Sequence, residues 1–78
     1  MTFEAQVQTE DEGVFVEVPA GSEFARARAP VVVTINGQSW ESSVAAYSGR
    51  FYLPLRRGIR QLAGISPGDT VSVTLEPR

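Results

Sequence analysis

The sequence predicts an all-β domain: a small antiparallel β-barrel of about six strands with one short helix, spanning residues 1–78. Three observations predict it. Apolar residues alternate with polar ones along most of the chain, the period of a half-buried strand. Turn-forming residues recur at roughly 8–12-residue intervals, as in small barrels and sandwiches. The period changes once, after Tyr52-Leu53-Pro54, to the spacing of an amphipathic helix.

Phe3, Ala5 and Val7 share one face of a first strand, with Glu4, Gln6 and Gln8 opposite. Glu10-Asp11-Glu12-Gly13 forms a polar turn, and a loop of about four residues is expected there. Val14, Val16 and Val18 share a face of a second strand, which stops before Pro19 because proline has no N–H for a ladder. From Pro19 to Pro30 the pattern is least regular: either an extended loop, or one helical turn over Glu23–Ala27 with Ser22 as its N-cap. Val31, Val33 and Ile35 lie on one face of a third strand. Asn36-Gly37 follows, and both residues tolerate the positive φ of a type I′ hairpin turn. The return strand runs from about Gln38 to Tyr47 with Trp40, Val44 and Ala46 on one face. Ser48-Gly49 makes another tight turn into a strand where Phe51, Leu53 and Leu55 alternate inward. Leu55, Ile59 and Leu62 then form the apolar stripe of the helix, with Arg56, Arg57 and Arg60 off it. Gly64 stands where a left-handed C-terminal residue is expected, and Ser66-Pro67-Gly68-Asp69 has the chemistry of a type II turn. Val71, Val73 and Leu75 complete a last strand. No internal repeat, linker or low-complexity segment is apparent.

Composition narrows the function. The chain has no cysteine and no histidine, which removes disulfides, thiolate sites, the commonest metal ligand and the commonest general base. Its serines have no histidine, cysteine or lysine to activate them. Neither an enzyme, a metal site nor a cofactor is expected. Glu10-Asp11-Glu12 does not have the spacing of a calcium loop. Seven arginines face nine acids for a net charge of −2, so no global charge draws the chain to nucleic acid or membrane. Met1-Thr2-Phe3-Glu4 lacks the basic and apolar regions of a signal peptide, and no apolar run approaches a membrane span. The cytoplasm is the expected compartment. A core this small without staples leaves a monomer or a homodimer open.

Two sets of residues are candidates for binding. Trp40, Tyr47, Tyr52 and Phe15, with Phe24, are the aromatic set, and of these Phe15 and Tyr52 fall on the strand faces opposite the apolar ones. They would line a ligand cleft or a protein interface, or else form a second small core under the Pro19–Pro30 segment. Arg50, Arg56, Arg57 and Arg60 are the one basic cluster. They would contact an anion or a phosphate backbone, or be a solvated face ion-paired to neighbouring acids such as Glu4, Glu17 and Asp69. The expected function is a non-enzymatic module that recognises a small molecule or a protein partner; the alternative is a nucleic-acid-binding regulatory barrel.

Phe3-x-Ala5-x-Val7, Val18-Pro19, Ile35-Asn36-Gly37, Tyr52-Leu53-Pro54-Leu55 and Gly68-Asp69-x-Val71-x-Val73-x-Leu75 together resemble a bacterial family of small β-barrels labelled a domain of unknown function. Its members stand alone or are joined to a YdeI/OmpD-associated segment. The stretch Leu53 to Leu75, with Leu53-Pro54, Arg56, Leu62-Ala63-Gly64-Ile65 and Gly68-Asp69, is similar to the strand–helix–turn unit of AbrB/MazE-like DNA-binding barrels. That class intertwines two copies of the unit. The resemblance implies a double-split-like barrel with both halves in one polypeptide, and it brings no established activity with it.

Overall fold

The computed structural model describes residues 1–78. The elements follow in the order β1 (Thr2–Gln6), β2 (Gln8–Glu10), β3 (Gly13–Val18), β4 (Pro30–Ile35), β5 (Gln38–Ser43), β6 (Ala45–Tyr47), β7 (Arg50–Pro54), α1 (Arg57–Ala63) and β8 (Thr70–Pro77). They build two antiparallel four-stranded sheets, ordered β1-β8-β4-β5 and β2-β3-β7-β6. The protein is thus mostly β with one short helix. Neither sheet closes on itself, so "barrel" describes it only loosely.

What joins the sheets is two bent chain runs. The expected first strand breaks at Val7, where β1 leaves one sheet and β2 enters the other. The expected Gln38–Tyr47 strand breaks the same way at Val44. Both valines are 2% exposed, and both bond a loop rather than a strand. The Val7 N–H donates to the Asp69 carbonyl and the Gly68 N–H to the Val7 carbonyl, each at 2.8 Å. The Val44 N–H donates to the Ala29 carbonyl at 3.0 Å, and the Arg28 N–H to the Val44 carbonyl at 2.8 Å.

This correspondence is general. β1-β2-β3 and β4 map onto β5-β6-β7 and β8 with every pairing preserved. β1 pairs β8 as β5 pairs β4, and β2 pairs β3 as β6 pairs β7. The β3–β7 and β4–β8 ladders relate the two halves. Val16 opposite Leu53 and Thr34 opposite Thr74 lie where equivalent residues meet. The chain therefore does contain an internal repeat. Its sequence trace is thin: Glu4 and Glu41, Val7 and Val44, Val31 and Val71, Val33 and Val73, and Thr34 and Thr74 are identical. The turn residues and connections between them differ.

The turns follow their chemistry. Asn36 and Gly37 take φ of 52° and 78°, and Ser48 and Gly49 take 52° and 74°, the type I′ combination twist-matched to hairpins. The β2–β3 hairpin also closes over two residues, Asp11 and Glu12, between paired Glu10 and Gly13, so its loop is tighter than expected. Gly64 ends α1 at φ 67°, and the Ile65 N–H reaches back to the Arg60 carbonyl at 2.9 Å, satisfying a helix-end acceptor.

Sixteen buried residues form one core, all of them apolar: they include Val16, Val18, Val31, Val33, Ile35, Leu53, Leu55, Val71, Val73 and Leu75. Two expectations are corrected and one open alternative is decided. Leu62 is 60% exposed; because α1 starts at Arg57, Ala63 is its buried residue and Ile59 is half-buried beside it. Phe24 is 4% exposed and belongs to the core rather than to an outward set. Residues 19–29 contain no helix. The Ser22 hydroxyl accepts from the Phe24 N–H at 3.0 Å, the bond an N-cap would make, but it closes only a local turn, and Phe24 is turned inward.

Candidate functional site

The outward aromatics divide between two places. Phe15, Tyr52, Tyr47 and Arg50 share the outer face of the β2-β3-β7-β6 sheet, since strand alternation sends Phe15 and Glu17 away from buried Val16 and Val18. The Phe15 and Tyr52 rings meet edge to face, centroids 4.9 Å apart at 80°, and both are half-buried. Beside them Glu17 and Arg50 form a two-pronged ion pair, with Arg50 Nε to Glu17 Oε2 at 2.9 Å and a second bond from its terminal nitrogen. Hydrogen bonding from Arg50 holds the Glu17 carboxyl below the ordinary carboxylate range, and Glu17 in turn raises the Arg50 guanidinium. Only Tyr47, 75% exposed, projects freely. The other four side chains form two pairs, Phe15 with Tyr52 and Glu17 with Arg50.

Trp40 stands elsewhere. It lies on β5 opposite Val33, half-buried against the edge of the core. With Glu41, Ser42, Ser43, Pro54, Arg56, Ile59 and Arg78 it lines a groove of about 360 Å³ where β5 parts from the end of β7. That volume is at the low end of the range of small-molecule sites. The Arg56 side chain is exposed and engages no acceptor within the protein. Arg78 crosses the groove mouth with its guanidinium 3.8 Å from Glu41 and 3.4 Å from the Ser42 carbonyl, a loose, solvent-exposed pairing of little energetic weight.

The four arginines of the basic cluster are therefore not one patch. Arg50 is bound to Glu17 on the sheet face. Arg60 Nε donates to the Leu55 carbonyl at 2.9 Å, fastening α1 to the chain before it. Arg57 and Arg60 border a second depression of about 380 Å³, more open to solvent, over Gly64 to Pro67. Asp69 neutralises none of them: its Oδ2 accepts the Ser66 N–H at 2.9 Å. The structure thus joins Trp40 from one candidate set to Arg56 from the other. Glu41, Ser42, Ser43, Pro54, Ile59 and Arg78 complete that groove, and none of the six is a binding candidate from the sequence. In the sequence Ile59 reads as part of the helix's apolar stripe, and no signal ties Arg78 at the far end of the chain to β5.

Two antiparallel four-stranded sheets with one short helix make this a small all-β domain. The chain belongs to the family described as Domain of unknown function (DUF1905), which matches residues 3–75. No curated protein matches it.

Proposed function

We propose that the domain is a non-enzymatic binding module that recognises a small molecule or a protein partner, and that the groove between Trp40 and Arg56 is its site. The observation that carries this reading is the pairing of an exposed, unpartnered guanidinium with a half-buried indole across a preformed groove. Indole offers a planar apolar surface and guanidinium a forked donor for carboxylate, the usual division of labour in a small site.

Trp40 is the only tryptophan, so its indole signal reports on the groove alone. Titration of the ¹⁵N-labelled domain with benzoate is expected to shift the Trp40 indole and the Ser42 and Ser43 amides at millimolar concentrations. Benzamide should shift them less, and Arg56→Ala should abolish the difference. Shifts confined to the Phe15–Tyr52 face, or none at Trp40, would overturn the assignment.

We also propose kinship with the AbrB/MazE-like double-split barrels. Its support is the internal two-fold correspondence, in which one chain supplies both bent-strand, hairpin and crossover units. A nucleic-acid role has less behind it: Arg50 and Arg60 are engaged within the protein, which leaves Arg56 and Arg57 against an excess of acids.

A further inference from the structure

The bend at Val44 has a consequence for the main chain of β5. Asn36-Gly37 is a two-residue turn, so Ile35 and Gln38 are a hydrogen-bonded pair, and alternation directs the Trp40 and Ser42 main chains toward β4 as well. The N–H and C=O groups of Ser39, Glu41 and Ser43 point the other way, where β5 has no neighbour. Past Val44, that same side of the run pairs with β7 through Ala45–Tyr52 and Tyr47–Arg50. Continuing the ladder would set Ser43 against Pro54, which has no N–H to give. Pairing stops there and the split opens. Its floor is Trp40 and its far wall Pro54, Arg56 and Ile59.

The equivalent split in the first half leaves Thr2, Glu4 and Gln6 facing outward from β1. It lies over Phe3 and is smaller, about 250 Å³. The backbone is the same, but the charge is reversed. Glu4 and Glu17 line the first split, Glu17 being paired to Arg50, while Arg56, Arg78 and a single acid, Glu41, line the second and leave it net positive.

We infer that the open side of β5 takes an extended acidic peptide segment of a partner protein by strand addition. The segment's main chain pairs with Ser39, Glu41 and Ser43, alternate side chains rest on Trp40 and Ile59, and a carboxylate meets Arg56. This rests on the groove being the site, and it specifies the partner. Main-chain pairing supplies affinity and the pockets beneath supply selectivity, as in other edge-strand recognition. The five residues of β5 from Ser39 to Ser43 span about 17 Å at strand rise, so a short segment suffices. The acidic first split repels the same ligand, which makes the two halves unequal despite their shared backbone.

The test uses the full chain and three eight-residue peptides: alternating valine and glutamate, alternating valine and lysine, and the acidic peptide with two prolines at its centre. The acidic peptide is expected to shift Trp40 emission and to slow amide exchange at Glu41 and Ser43 at least tenfold. The lysine and proline peptides should do neither. Arg56→Glu, a surface change whose folding is checked by its thermal midpoint, should weaken the acidic peptide by at least about tenfold, since it sets like charges against each other. Binding without amide protection overturns the inference, as does equal binding of the lysine peptide or self-association of the chain that buries β5. If benzoate moves Trp40 and no peptide binds, strand addition is wrong and the groove stands. If neither binds, both fail.

Discussion

Replacing Leu53 by alanine is expected to leave the domain barely folded at 25 °C. Leu53 is 1% exposed and sits near the end of β7 opposite Val16, where the two halves of the fold meet. Truncating a leucine so enclosed costs about 2–5 kcal/mol, the upper part applying where the walls do not collapse. Here the walls are backbone-locked strands on both sides. Small domains hold only about 5–15 kcal/mol in total, and this one is at the short end of that size range. The urea midpoint should therefore fall by a third or more with the slope unchanged. Leu62→Ala, on the exposed side of α1, should move it by less than about 0.5 kcal/mol. A loss under about 1 kcal/mol at Leu53 would mean that the halves do not depend on this contact.

Asn36→Ala should be the second largest effect, at about 2 kcal/mol. Asn36 does two jobs. Its φ of 52° is tolerated by asparagine and disfavoured for alanine. Its Nδ2 donates to the Ala63 carbonyl at 2.8 Å, so the β4–β5 turn holds the C-terminal end of α1, and a net hydrogen bond of this kind is worth about 0.5–1.5 kcal/mol. Asn36→Gly separates the terms: it keeps the turn and loses only the tie to α1, so it should cost about half as much. Thermal melts of the two variants side by side measure the split. Equal losses would show that the turn conformation contributes nothing.

Most of the fold was legible because each strand announced itself by alternation and each turn by its residues. Asn36-Gly37, Ser48-Gly49 and Pro67-Gly68 carry conformational requirements that few other dipeptides meet, and Gly64 marked the helix end. The two bends were not legible. Val7 and Val44 stay in phase with the inward residues before them, and the short strands after them are exposed throughout, so each valine reads as one more inward position and the change of sheet leaves no trace. The internal repeat escaped for a related reason. Burial constrains only the class of residue at Phe3 and Trp40, or at Val16 and Leu53, and the polar faces and connections diverged freely. Leu62 misled because a leucine in helical register reads as core, whereas seven residues of helix bury only the turn that touches the sheets. The site was half visible. Trp40 and Arg56 each stood out, but which arginine would meet which aromatic depended on the split between β5 and β7, and so on the bend that the pattern conceals.

Amide hydrogen exchange along β5 in the free protein tests the split most directly. Unpaired, exposed N–H groups exchange by the shallowest openings, whereas ladder donors wait for the sheet to open. The N–H groups of Ser39, Glu41 and Ser43 should exchange fast and those of Gln38, Trp40 and Ser42 slowly, with Glu4 and Gln6 against Phe3 and Ala5 repeating the alternation in β1. Uniform protection from Ser39 to Ser43 would contradict it: β5 would then have a second neighbour, and the groove beside Trp40 would be no open edge.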